Sequence, residues 1–107
     1  MREEVIKIYD EIIAANPNFD RKGKTMPYTS ANGHMFSQVN KDGELGIRLS
    51  KTDTSTFDVQ YGAQPFLSYD AIMREYVRIP QTLLDDKQKL GYYLQKGFEY
   101  VMSLPPK

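Results

Sequence analysis

The stretch Asn40-Lys41-Asp42-Gly43 constrains this chain more than any other part of its sequence. It stands between HMFSQV and ELGIRLS, two runs suited to strands. Asp-Gly between such runs marks a hairpin, because glycine accepts the positive φ that the turn needs. In the second run Leu45, Ile47 and Leu49 fall on one face, and Glu44, Gly46, Arg48 and Ser50 fall on the other. Upstream, KTMPYTS reads as a further strand. Its Pro27 suits an edge or the residue leading into it, and Ala31-Asn32-Gly33 makes the next turn.

Helical patterns bracket this strand region. Val5, Ile8, Tyr9, Ile12 and Ile13 recur at helical spacing within residues 3–15, with Glu3 and Glu4 in the first turn where the helix dipole favours acids. Asn16-Pro17-Asn18 ends that helix. At the other end, Leu90, Tyr93, Leu94, Gly97, Phe98, Val101 and Met102 form the predicted buried stripe of a helix over about residues 86–104. Asp85 is its expected cap, answered by Gln88. Gly97 lies inside the stripe, which predicts close backbone packing against the sheet. Leu104-Pro105-Pro106 terminates the helix.

The middle is less periodic. SKTDTSTFDVQYG has strand-like composition, but its punctuation is helical. Ser50 and Asp53 match a capping box, and Gly62 sits where a helix ends. A short helix is expected there, with Gln64-Pro65-Phe66 as an extended exit. Residues 72–79, IMREYVRI, alternate as a strand that Pro80 ends. Strict alternation puts Met73, Glu75, Val77 and Ile79 on one face, and Ile72, Arg74, Tyr76 and Arg78 on the other.

Hairpin-joined strands between terminal helices predict an α+β fold of two layers. An antiparallel sheet carries the N- and C-terminal helices on one face, in one domain over residues 1–107. The 107 residues suffice for a single core. With no cysteine, disulfides, thiolate nucleophiles and cysteine-ligated metal sites are excluded. MREEVIKIYDEII lacks the apolar run of a secretory leader, and no stretch is apolar enough to span a bilayer. A cytoplasmic protein with no membrane contact is the expectation. Lysines and arginines equal the acids at 14 each, so the net charge is zero. That balance disfavours bulk polyanion binding and gives copies of the chain little mutual repulsion.

Several short motifs, in order, carry a family resemblance. GELGIRLS, a short helix ending in YGAQPF, MREYVRIP, and a long helix closing in SLPPK together resemble the N-terminal domain of the TfoX/Sxy proteins over residues 24–107. Two places depart from that pattern. Met26-Pro27-Tyr28 stands where the family often carries a glycine-rich turn, and Gln64 stands where it carries an arginine. The resemblance implies an α+β arrangement of the type seen in type III secretion chaperones, often packed as a dimer. Full-length members are regulators of natural competence with a second, helical C-terminal domain. The pattern here matches the N-terminal domain alone, so a stand-alone domain is the expectation. The resemblance supplies no catalytic residues.

Candidate chemistry is sparse. His34 is the only histidine, and no cluster of carboxylates lies near it in sequence, so no metal and no cofactor is expected. The acids fall at helix starts and turns, where capping explains them. Residues 50–56 are rich in serine and threonine but form no phosphate-binding loop or nucleophile elbow. What remains is a surface. Arg74, Tyr76 and Arg78, extended by Arg48 on a neighbouring strand, form a basic and aromatic strip, while Tyr92 and Tyr100 lie beside the main stripe of the last helix. The expected function is a non-enzymatic regulatory or adaptor domain acting through protein–protein contact, as a homodimer or with another protein. The alternative is nucleic-acid binding through the Arg74/Tyr76/Arg78 face. A small-ligand cleft between sheet and helices is a third expectation.

Overall fold

A computed structural model describes residues 2–107. Nine elements follow one another: α1 (Arg2–Ala14), β1 (Tyr28–Ala31), β2 (His34–Val39), β3 (Leu45–Arg48), α2 (Lys51–Tyr61), β4 (Pro65–Ser68), β5 (Ala71–Arg78), α3 (Gln81–Leu84) and α4 (Lys87–Ser103). The five strands form one antiparallel sheet in the order β1-β2-β3-β5-β4. The fold is α+β, with the terminal helices α1 and α4 packed together over the sheet. No helix among the described residues is long and apolar enough to cross a membrane.

Turn chemistry sets this order. Gly43 takes φ 81° in the β2–β3 turn. Asn40 completes that turn with its side chain, since Oδ1 accepts from the backbone N–H of Asp42 (3.0 Å) and Glu44 (2.9 Å). Asn32 and Gly33 both have positive φ and join β1 to β2 by two residues, as a tight hairpin requires. Ser50 caps α2 by accepting from the Asp53 N–H, and the Gly62 N–H closes the helix on the Asp58 carbonyl.

Under the helices lies one cluster built from Phe36, Val39, Leu45, Ile47, Leu49, Val77 and Ile79 of the sheet region, with Tyr9, Ile12, Leu90, Leu94 and Val101 above them. A bulge in β2 shapes this face. Thr29 pairs with Ser37 but Ser30 pairs with Met35, so Phe36 is an extra residue. Simple alternation sends one of Phe36 and Ser37 away from the helices, whereas the bulge turns both toward them. Phe36 meets Phe19 edge-on at 5.1 Å and Phe98 at 6.0 Å. Ser37 Oγ is 2.6 Å from the Tyr9 hydroxyl and also bonds the Thr29 hydroxyl, so these three buried hydroxyls satisfy one another. Burial pushes the Tyr9 hydroxyl pKa far above its usual value.

Gly97 fits its expectation. A Cβ there would stand 2.9 Å from the Arg48 carbonyl oxygen and 3.0 Å from Ile47 Cγ2, so α4 lies backbone-close on β3. Two expectations need correction. The cap of α4 is Asp86, whose side chain accepts from the Lys89 N–H. Asp85 instead closes α3, a helical turn that Pro80 begins. Met102 is half exposed, because the last turn of α4 lies over the β1–β2 turn, where Asn32 Nδ2 donates to the Val101 and Leu104 carbonyls. Gln64-Pro65-Phe66 leaves α2 extended as expected, with Pro65 beginning β4.

Gly91, also in α4, has open space where a Cβ would go. The two glycines therefore predict opposite outcomes. Gly91→Ala raises stability by about 0.5–1 kcal/mol through helix propensity. Gly97→Ala lowers it by roughly 1–2 kcal/mol, because overpacking against a backbone oxygen outweighs the same propensity gain. Urea midpoints of the two variants, moving to opposite sides of the unmodified protein, are the check.

Candidate interaction surface

Pairing of β5 with β3 aligns Gly46 with Arg78, Ile47 with Val77 and Arg48 with Tyr76. Ile47 and Val77 face the helices, so Tyr76 and Arg78 share the opposite face with Gly46, while the Arg48 side chain reaches Tyr100 of α4. That face is not an open strip. Phe66 of β4 lies across it, in the space a side chain at Gly46 would need, with ring carbons 2.4 Å from an ideal Cβ there. Phe66 is fully buried, and Tyr76 is stacked on it at 5.8 Å with 22° between the rings. Past the Ser37–Ile47 pair, β2 and β3 no longer pair, and the Met35 carbonyl accepts from the Tyr76 hydroxyl at 2.9 Å. Desolvation pushes the Tyr76 pKa well above its usual value. Tyr76 is therefore an internal residue of a second, smaller core.

Polar side chains hold this core shut. Asn40 Nδ2 donates to the Leu67 carbonyl (2.9 Å) and to Glu44 Oε1 (3.0 Å), and Glu44 Oε2 receives Arg78 Nη1 at 3.0 Å. The β2–β3 turn is thereby tied to β4 and to the end of β5.

The expected two-face alternation along residues 72–79 fails at Glu75. Leu67 pairs with Ile72 and Pro65 with Val77, so β4 supplies only Phe66 where β5 supplies Met73 to Tyr76. Glu75 sits in this bulge at φ 71°, a conformation that L side chains rarely adopt. Its carboxylate is held from two elements. Arg48 donates to Oε1 through Nε (2.9 Å) and Nη2 (2.6 Å), and the Tyr100 hydroxyl of α4 donates to Oε2 at 2.5 Å. The Arg48 guanidinium also lies 5.5 Å from the centre of the Tyr100 ring. Partial burial acts to raise the Glu75 pKa, but the hydrogen bonds from Tyr100 and Arg48 and the charges of Arg48 and Arg74 hold it below the usual carboxylate range. The bond to Glu75, with partial burial, raises Tyr100.

The six candidate residues thus fall into separate places. Arg48 and Tyr100 meet at Glu75. Arg78 and Tyr76 belong to the small core. Arg74 is exposed and forms no ion pair among the described residues. Tyr92 lies apart, edge-on to Tyr93 at 5.3 Å with the Lys96 ammonium 5.5 Å from its ring centre. Tyr93 in turn meets Phe57 of α2 at 5.3 Å and donates to Gln60. Sequence reasoning placed a turn at Asp70 but missed that Tyr69 (74% exposed) and Ile72 (68% exposed) stand in water at this tip of the β4–β5 hairpin. Its one local signal was Ser68 and Asp70, turn-favouring residues between Leu67 and Ile72.

Other candidates have structural roles. His34 Nε2 is 2.9 Å from the Pro105 carbonyl oxygen, a link to the chain's last residues. Ser55 and Thr56 hydroxyls return to carbonyls one turn back in α2. No group of three or more metal-binding side chains occurs among the described residues. A groove of about 430 Å³ runs between α1 and α4, lined by Glu11, Ile12, Ala15, Asn16, Lys87, Gln88 and Gly91, with no sheet residue in its wall. A scan of the sequence against protein-family models found no match, and a search of curated proteins found none.

The sign of the Glu75 effect gives a pH prediction. A carboxyl with a depressed folded pKa stabilises the fold above its unfolded value, near 4.5, and loses that contribution as pH falls through the folded pKa. Glu75→Gln therefore costs stability at neutral pH, and its difference from the unmodified protein shrinks as pH falls below about 4. Urea midpoints measured from neutral to acid pH test this; a constant difference contradicts it.

Proposed function

We propose that this chain is a non-enzymatic regulatory or adaptor domain, of the kind its resemblance to the TfoX/Sxy N-terminal domain implies. It acts in the cytoplasm through protein–protein contact and forms a homodimer. One observation carries the reading: the large apolar side chains that the sheet leaves in water, Tyr69 and Ile72, stand together on the projecting β4–β5 hairpin. Scattered exposed apolar residues are ordinary, but a pair on a protruding hairpin suits a contact surface. The turn beneath them supports the same reading. Tyr69 and Asp70 both take positive φ (53° and 64°). Tyrosine is strained there, and such strain collects at functional positions.

Nucleic-acid readout through Arg74, Tyr76 and Arg78 is the weaker reading. A stacking platform needs a free ring face and unpaired cations. Phe66 covers Tyr76, Glu44 holds Arg78, and Glu75 holds Arg48.

Sedimentation velocity at micromolar concentration tests the proposal, and the expected result is a dimer or a stable complex with a second protein. A strict monomer that recovers no partner in pull-downs overturns it. Salt-dependent retention of DNA or RNA that Arg74→Ala abolishes would move the assignment to the nucleic-acid alternative.

A further inference from the structure

The β3–β5 ladder stops short of the hairpin. Its last strand pair is Arg48–Tyr76, followed by the Leu49 N–H bonding the Glu75 carbonyl. Residues 71–74 of β5 run on beyond it. On one side they pair with β4, through Leu67–Ile72 and Ser68–Ala71. Among the described residues no strand pairs with their other side. Positive-φ residues, Asp70 and Glu75, bound the segment at each end. Within it Ala71, Ile72 and Arg74 are exposed and Met73 is half buried. The segment is a short, open strand edge with an isoleucine at its centre.

The sheet's other edges are partly occupied. On β4, Pro65 has no N–H and Asn40 takes the Leu67 carbonyl. On β1, Tyr28 is paired through both its N–H and its carbonyl with Lys22. The edge at residues 71–74 has no such hydrogen-bond partner among the described residues.

The charges around Ile72 point to its occupant. Asp70 and Arg74 lie two residues to either side of it, and neither forms an ion pair among the described residues. We infer that this edge pairs antiparallel with the same edge of a second copy, about a two-fold axis at Ile72. In that register Ile72 faces its own counterpart, and Arg74 of each copy comes beside the β4–β5 turn of the other, which carries Asp70, twice by symmetry. Displacing the register by two residues sets Ile72 against a charge, and a parallel pairing sets like charges together. The zero net charge of the chain adds no long-range repulsion between copies. This inference rests on the protein-contact reading above and names its surface and partner.

The chain has no cysteine, so a single introduced thiol reports geometry cleanly. Ile72→Cys is expected to form a disulfide-linked dimer with diamide as oxidant, because cross-strand Cβ atoms lie about 4.5–5.5 Å apart. Val59→Cys, at a residue 90% exposed on α2, serves as the control and stays unlinked. In a second experiment, Arg74→Asp brings acids beside one another and raises the dimer dissociation constant about tenfold. Adding Asp70→Arg to Arg74→Asp restores association. Should the double variant disturb the hairpin turn, the Ile72→Cys cross-link decides. A dimer indifferent to Arg74→Asp, in which Val59→Cys links as readily as Ile72→Cys, overturns the inference and leaves the protein-contact reading standing. So does a monomer that binds a different protein. A monomer with no partner overturns both.

Discussion

Strand β3 is pressed from both faces, and the rest of the structure depends on the two glycines that allow it. Gly97 brings α4 down onto the backbone of Arg48 and the side chain of Ile47. One residue earlier on the strand, Gly46 leaves the opposite face bare, and the Phe66 ring fills that space. The first contact fixes the separation of helix and sheet, and with it the room for Phe19, Phe36 and Phe98 to meet edge-on or tilted. The second lets β4 fold against a face that no helix covers. A methyl group at either glycine would force apart layers packed near crystal density.

Phe66 explains why the outer face is not an exposed sheet surface. An antiparallel sheet with helices on one side ordinarily presents polar side chains to water on the other. Here the large bulge in β5 bends the strand, and β4 carries Phe66 over Gly46 and beside Tyr76. Asn40 joins this arrangement to the rest of the molecule. Arg2 Nε bonds its carbonyl, its Oδ1 completes the β2–β3 turn, and its Nδ2 reaches the Leu67 carbonyl. One buried amide thus links α1, a turn and an edge strand with every polar atom of its side chain satisfied.

The parts legible in the sequence were those governed by local rules. Gly43, Asn32-Gly33, Ser50 and Gly62 marked turns and caps that the structure contains, and the stripe of α4 placed Gly97 against the sheet. Asp70 marked a turn, but the two-residue, positive-φ form of Tyr69-Asp70 was not legible, because it has neither the asparagine nor the glycine that usually marks that conformation. Alternation gave the face of Tyr76 but not its burial, because Phe66 of β4 comes to lie across that face. The Arg48–Glu75–Tyr100 cluster joins residues from β3, β5 and α4, and no sequence spacing encodes that meeting.

The same cluster accounts for the position of the projecting hairpin. A glutamate at positive φ costs on the order of 1 kcal/mol or more unless its surroundings over-determine it. Glu75 is over-determined, since Arg48 holds one carboxylate oxygen and Tyr100 the other. Its strained backbone marks the point where β5 leaves β3, just past the Leu49–Glu75 bond. The ion pair is half exposed, so its direct contribution to stability is small. Its larger effect is geometric. By fixing the bend at Glu75 to the end of α4, it sets the direction in which residues 69–74 leave the sheet, and so ties the most exposed apolar surface of the sheet to the rigid helical layer.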